Sequence, residues 1–288
     1  MVTDSIIERL TSAINAGETL APWQRPWSAT NSTPMSGSSN KPYRGINWFI
    51  LSMQGYASPY WFTFNQVRNL KGSVRKGEKS TMVVFWTMLE GRDKATNEPK
   101  KIPMLRYYRV FNYEQCDKMP ERYAAKPTET IEFQPIEAAE AIVNGWADRP
   151  TIQHQGVRAC YSPSSDIVTM PARETFKGEG EYYSTLFHEL THSTGHAKRL
   201  NREEMGKGAF GSSEYSKEEL TAEMGAAILC AMVGIDSVKE NSLSYLQGWL
   251  SKLRSEPKWL ISAAGQAQKA VDMIIGKTWA EETTTGEE

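Results

Sequence analysis

The chain has 288 residues, 40% of them hydrophobic and 23% charged, ordinary proportions for a globular protein of one large or two medium domains. Its three cysteines, Cys116, Cys160 and Cys230, are far apart and odd in number, which argues against a disulfide framework or a CxxC thiolate metal site and points to a reducing compartment. The net charge of −1 conceals an asymmetry: residues 1–126 hold 18 Lys and Arg against 10 Asp and Glu, whereas residues 127–288 hold 15 against 24.

In chain order, the spacing predicts an amphipathic helix over Ser5 to Ala16, ended by Gly17. This terminus has acidic residues instead of the basic head and apolar stretch of a secretory leader. The longest apolar run, Ala226 to Ile235, is too short to span a bilayer, so the reading is a cytoplasmic protein with no membrane partner. A Pro-Trp-rich loop and a Ser/Asn/Pro/Gly-rich loop over 29–42 follow. Ile46 to Met53 fits helix or strand, and Phe64 to Lys71 fits a short helix stopped by Gly72. Thr81 to Thr87 and Leu105 to Phe111, rich in β-branched and aromatic residues, predict strands around a polar excursion from Gly91 to Lys101. Arg122 to Thr130 reads as a linker, and the charge balance changes sign across it. That divides the chain into 1–126 and 127–288. Beyond it the pattern predicts a helix over Pro135 to Ala147 and a strand over Asp166 to Met170. Helices follow over Glu181 to Thr194, Lys217 to Val233, Ser242 to Leu253 and Glu256 to Ile275, then an acidic, disordered tail over 281–288. The fold class is therefore α+β: a mixed N-terminal half and a mostly helical C-terminal half with a small sheet.

Of four histidines, His154, His188, His192 and His196, three fall within nine residues, in His188-Glu189-Leu190-Thr191-His192-Ser193-Thr194-Gly195-His196. On a helix His188 and His192 lie one turn apart on one face, so both imidazoles can reach one divalent ion, Zn2+ foremost with Mn2+ or another as alternatives. Glu189 then stands where a general base for a metal-activated water belongs, since zinc brings that water's pKa toward neutrality. The metzincin pattern would place its third histidine at position 198, which is Lys198, and His196 arrives two residues early. His196 therefore reads as a helix cap or as a group behind the ligands. The third ligand is sought in Ser216-Lys-Glu-Glu-Leu-Thr-Ala-Glu223, where Glu219 and Glu223 share a helix face. That pairing resembles gluzincins, in which a glutamate closes the site and an acidic residue four positions later supports a ligating histidine. Ser216 and Glu219 also form a capping-box pattern. If Glu219 only caps, Glu223 is the ligand. Glu218 is expected to face solvent, Asp166 to Met170 to offer an edge for an extended peptide, and Tyr215 to be a packed residue or an oxyanion donor.

Between Arg44 and Arg109 basic residues interleave with aromatics. Arg44, Trp48, Lys71, Arg75, Lys76, Lys79, Arg106 and Tyr108 are the candidates for a single-stranded nucleic acid surface, which needs cations along the backbone and ring faces for stacking.

Taken together, Pro22-Trp23, Pro26-Trp27, Tyr43-Arg44-Gly45-Ile46-Asn47, Phe62-Thr63-Phe64-Asn65-Gln66, Val74-Arg75-Lys76-Gly77-Glu78-Lys79 and Val110-Phe111-Asn112-Tyr113-Glu114-Gln115 form one set of motifs. Asp166-Ile-Val-Thr-Met-Pro171, His188 to His196, Arg199-Leu200 and Glu218-Glu-Leu-Thr-Ala-Glu223 form another. With both sets the chain resembles the ArdC antirestriction proteins of conjugative plasmids and related primase-associated proteins, over about residues 5–275. Ser193 stands where relatives often carry Trp. The resemblance implies a single-stranded-DNA-binding domain followed by a zincin-like metallopeptidase domain, and protection of incoming plasmid DNA from host restriction during conjugation. Two other readings compete: a DNA-coating protein with a structural metal, and an inhibitor docking on restriction enzymes as an acidic DNA mimic.

Overall fold

The computed structural model describes residues 2–16, 33–92, 99–125, 135–203, 213–235 and 243–277. The Pro-Trp motifs, residues 126–130 of the expected linker and the acidic tail lie outside them. The first part runs α1 (Val2–Asn15), β1 (Met35–Ser36), α2 (Ile46–Ser52), β2 (Tyr60–Thr63), α3 (Phe64–Asn69), β3 (Ser73–Val74), β4 (Thr81–Arg92), β5 (Pro99–Asn112) and β6 (Cys116–Asp117). The second runs α4 (Pro135–Gly145), β7 (Thr151–His154), β8 (Cys160–Ser162), β9 (Ile167–Met170), α5 (Glu179–Ser193), α6 (Ser213–Met232), α7 (Leu243–Ser255) and α8 (Lys258–Ile274). The class is α+β, with mixed helices and sheets.

The first sheet has the order β1-β2-β5-β4. β4 and β5 pair antiparallel from Thr81↔Val110 to Arg92↔Pro99, which extends both strands beyond the segments expected from composition. The two ends of the polar stretch, residues 91–92 and 99–101, are thus strand, and residues 93–98 lie outside the described set. β2 pairs with β5 through Phe62↔Phe111, and β3 and β6 form a separate two-stranded ladder. α3 starts at a capping box in which Thr63 and Gln66 satisfy each other's backbone N–H.

The ambiguous segment after Gly45 is a helix. Gly45 enters it at φ 55, a left-handed conformation that glycine adopts without a Cβ penalty. Ile46, Trp48, Phe49, Ile50 and Leu51 are buried, and so is Asn47. The Asn47 side chain accepts from Val84 N–H at 2.8 Å and donates to Val84 C=O at 2.6 Å. It thereby occupies part of the outer edge of β4, an edge strand whose backbone groups would otherwise need another partner.

The main core does not stop at the expected linker. Ile6 and Leu10 of α1 and Trp48 and Phe49 of α2 share one cluster with Leu186, Leu190, Leu220, Leu229, Trp249 and Leu260. The second sheet, order β7-β9-β8, packs against α5. β9 is its central strand, parallel to β7 and antiparallel to β8. The expectation that this segment offers a free edge to a peptide is therefore overturned: its backbone is paired on both sides. No helix among the described residues is long and apolar enough to cross a membrane.

Candidate metal centre

α5 begins with Glu179 and Glu181 in its first turn, where carboxylates favour the positive end of the helix dipole. Its last turn is tied down by hydroxyls that bond back along the chain: Thr191 Oγ1 to Phe187 C=O at 2.7 Å, Ser193 Oγ to Leu190 C=O at 2.7 Å and Thr194 Oγ1 to Thr191 C=O at 2.6 Å. Two arginines from the following turn complete the anchoring. Arg199 Nε donates to Ser193 C=O at 2.8 Å, and Arg202 donates to Thr191 C=O at 2.8 Å and to His192 C=O at 3.3 Å. Cations at this end also complement the dipole. Arg199 additionally pairs with Asp166, which stands at φ 54 just before β9, so the helix end is locked to the sheet.

α6 lies against α5 and α8 and is buried almost all round from Glu218 to Cys230. The close approach depends on Gly225, where an added Cβ would lie 2.5 Å from Thr191 Cγ2. The helix starts at Ser213, so Ser216 sits one turn inside it. The capping-box reading of Ser216 and Glu219 is thereby overturned. The side chain of Tyr215 lies outside the described residues.

These two helices bring together His188, His192 and Glu219. The two Nε2 atoms are 3.1 Å apart, His192 Nε2 is 3.4 Å from Glu219 Oε1, and His188 Nε2 is 3.6 Å from Glu219 Oε2. Ligand atoms about 2.0–2.1 Å from a tetrahedral ion stand about 3.3 Å from one another. Three donors of the right chemistry thus enclose a space of the right size. Glu223 lies on the other side of the ring, with its Oε1 3.6 Å from His188 Nδ1, a buried nitrogen that has no hydrogen-bond partner among the described residues. The structure therefore brings Glu219 to the ligand side of the histidines and Glu223 behind them.

Glu218 does not face solvent. It is buried, with Oε1 3.1 Å from His192 Nδ1, and Arg202 grips both of its oxygens. Nothing in the run Lys217-Glu218-Glu219 marks which carboxylate points inward, and the lone Arg202 beyond the motif carries no periodic signal. His196 accepts from Lys198 N–H at 3.1 Å and closes the turn after α5, and it is not among the three groups whose ligand atoms converge. Glu189 is buried on α5.

Electrostatics follow from this packing. Burial would lower the His192 pKa, but hydrogen bonds to Glu218 and Glu219 outweigh it and push the imidazole up to about 10. Burial likewise opposes ionisation of Glu219, yet the two histidines hold its carboxyl far below the usual range. The metal-free centre therefore keeps a proton on His192 at neutral pH while Glu219 stays ionised. Binding a divalent ion must expel that proton. The expected result is an affinity that rises about tenfold per pH unit across the neutral range and flattens only as pH approaches the raised pKa. Titration calorimetry of Zn2+ in buffers of different ionisation enthalpy checks it, through release of about one proton per ion bound.

The basic candidates divide. Lys71, Arg75, Lys76, Lys79 and Arg106 are exposed, and so is Tyr108. Arg75 is engaged by Glu78 at 3.0 Å. Trp48 is in the core at 5% exposure, so it is no stacking platform. Arg44 forms an ion pair with Asp272 of α8, and the neighbouring Gly45 N–H donates to Gln268 at 3.1 Å. The Tyr43-Arg44-Gly45 motif thus docks α2 onto α8. Phe85, which composition alone does not single out, stands opposite Arg106 on the same sheet face and meets the Tyr108 ring edge-on at 5.5 Å.

Paired helices with this donor set, backed by a small mixed sheet, define a zincin-like metallopeptidase domain, and the family model described as zincin-like metallopeptidase matches residues 137–266. The N-terminal domain of the anti-restriction factor ArdC matches residues 1–111. The antirestriction ArdC protein from plasmid R388 is similar in its metal-free structure at 38% identity and a TM-score of 0.75, over 95% of this chain and 94% of that one. Its Mn(II)-bound structure is similar at 37% identity and a TM-score of 0.74, over 95% of each chain. The chain belongs to the ArdC family of antirestriction proteins. A DNA primase TraC of Escherichia coli is 36% identical over 94% of this chain, which spans only 19% of that primase's length.

Proposed function

We propose that this chain binds single-stranded DNA through its basic N-terminal half, residues 1–126, and hydrolyses peptide bonds at a centre in residues 127–288. In this reading it protects incoming plasmid DNA from host restriction in the bacterial cytoplasm during conjugation. The observation that carries the reading is the convergence of His188 Nε2, His192 Nε2 and Glu219 on one space, 3.1 to 3.6 Å apart.

His188, His192 and Glu219 would hold one divalent ion, Zn2+ or Mn2+, which when bound supplies Lewis-acid polarisation of a peptide carbonyl and acidification of water. Glu189, next to His188 on α5, takes the proton from the attacking water and returns it to the leaving amine. Glu218 holds the Nδ1 side of His192 by a hydrogen bond, which orients its Nε2 inward, and Glu223 stands 3.6 Å behind His188 Nδ1 as a charge partner. His196 supports the centre only by shaping the turn after α5. On the basic half, exposed Lys71, Arg75, Lys76, Lys79 and Arg106 would follow the phosphates, with Tyr108 as a stacking ring. A coating protein with a structural metal would have no use for Glu189, and an acidic mimic would have none for the basic face.

Two measurements test the proposal. Equilibrium dialysis should give one ion per chain, with affinity lowered more than about 100-fold in Glu219→Ala, a larger loss than removal of a supporting carboxylate produces. A single-stranded oligonucleotide should bind with an affinity that falls steeply as salt rises. A wild type that takes up no ion, or that shows no oligonucleotide binding at low salt, would defeat the corresponding half.

A further inference from the structure

The carboxylates that support the two histidines are held differently. His188 Nδ1 is 3.6 Å from Glu223 Oε1, beyond hydrogen-bond reach. His192 Nδ1 is 3.1 Å from Glu218 Oε1, within it. Glu218 is in turn gripped by Arg202, whose Nε donates to Oε2 at 2.9 Å and whose terminal nitrogen donates to Oε1 at 2.5 Å. Both partners are buried, at 6% exposure each. The same guanidinium donates to Thr194 Oγ1 at 2.6 Å and to the carbonyls of Thr191 and His192 at 2.8 and 3.3 Å. One planar group therefore fastens the α6 carboxylate to the turn of α5 that carries His192.

An imidazole offers Nε2 as a ligand only when Nδ1 bears the proton, and the acceptor at Nδ1 selects that tautomer and fixes the ring plane. A buried carboxylate keeps its charge and place only when its own lone pairs are satisfied. Arginine meets that need with a rigid fork of donors that lysine lacks. We propose that Arg202 is a positioning residue: by clamping Glu218 onto His192 Nδ1 it sets the metal affinity of the centre. The proposal rests on the metal-binding reading above.

The test compares Zn2+ affinity, by competition with a chromophoric chelator, in wild type, Arg202→Gln, Arg202→Lys, Glu218→Gln and the double variants. The melting temperature of each metal-free protein is measured alongside. Arg202→Gln should lower affinity about 10–100-fold, and Arg202→Lys by less. Because the effect passes through Glu218, changing Arg202 in the Glu218→Gln background should lower affinity no further. The absorption bands of Co2+ placed in the centre should shift in Arg202→Gln and Glu218→Gln alike. If Arg202→Gln does not fold, Arg202→Lys carries the same comparison. A lowered melting temperature with affinity within about twofold of wild type would make Arg202 merely a clamp on α5 and overturn the proposal, as would fully additive losses. A wild type that binds no Zn2+ would overturn the metal reading and this proposal together. Stoichiometric wild-type binding with indifferent Arg202 variants would overturn this proposal alone.

Discussion

Glu189→Gln is expected to keep its fold and its ion while losing peptide hydrolysis by about 10²–10⁴-fold, the contribution of a positioned general base. Glutamine has the shape of glutamate, and Glu189 is not one of the three groups that converge on the ion space. The residue is 7% exposed, and among the described residues its carboxylate has no hydrogen bond or ion pair that substitution would remove. Metal content and melting temperature should therefore stay near wild type. Cleavage of an unfolded protein substrate should fall. An unchanged cleavage rate would remove Glu189 from the mechanism. Protection of conjugating DNA in a restricting host then separates the functions: a variant that no longer cleaves yet still protects assigns protection to DNA coating alone.

The parts of this centre legible in the sequence are those fixed by local periodicity. His188 and His192 share a face because a helix repeats every 3.6 residues, and Glu219 and Glu223 are paired by the same arithmetic. Their approach across helices is a tertiary fact. It depends on Gly225 letting α6 run against Thr191, which no period in the sequence announces. Glu218 reads as solvated because a carboxylate between Lys217 and Glu219 has no local mark of burial, and its partner Arg202 sits sixteen residues away in irregular chain. The same limit explains Trp48, whose burial comes from α2 packing into a core built largely by later helices. The central position of β9 is set by pairing with β7 and β8, and strand composition alone cannot distinguish a centre from an edge.

The charge asymmetry also changes meaning in three dimensions. Glu218 and Glu223 are buried and Glu219 is 14% exposed at its side chain, and all three face histidines or an arginine. Part of the negative balance of residues 127–288 is therefore internal, facing histidines and Arg202. An acidic mimic needs that charge on its surface, where a partner's cations can reach it. The basic residues behave oppositely: Lys71, Lys76, Lys79 and Arg106 are exposed.

That difference leads to the expected behaviour of the β4–β5 face. Phe85 and Arg106 are direct cross-strand partners, and Tyr108 is the partner of Val83, so Phe85, Arg106 and Tyr108 share one side of the sheet. Farther along that side Val83 and Val110 are buried, while Phe85 and Tyr108 remain 37% and 39% exposed with ring centres 5.5 Å apart. Two exposed rings held edge to face beside a guanidinium suit unstacked bases. Phe85→Ala and Tyr108→Ala should each weaken single-stranded oligonucleotide binding by roughly 1–3 kcal/mol, about 5–150-fold. Neither should change the dependence of affinity on salt, because neither ring neutralises a phosphate. Lys76→Ala and Lys79→Ala should do the reverse, with a modest weakening at low salt and a salt slope reduced by about one for each phosphate no longer neutralised. Fluorescence anisotropy of a labelled oligonucleotide across a salt series reads both quantities. Full affinity in the Phe85→Ala, Tyr108→Ala double variant, with its melting temperature retained, would take the stacking role away from this face and leave the DNA surface to the lysines alone.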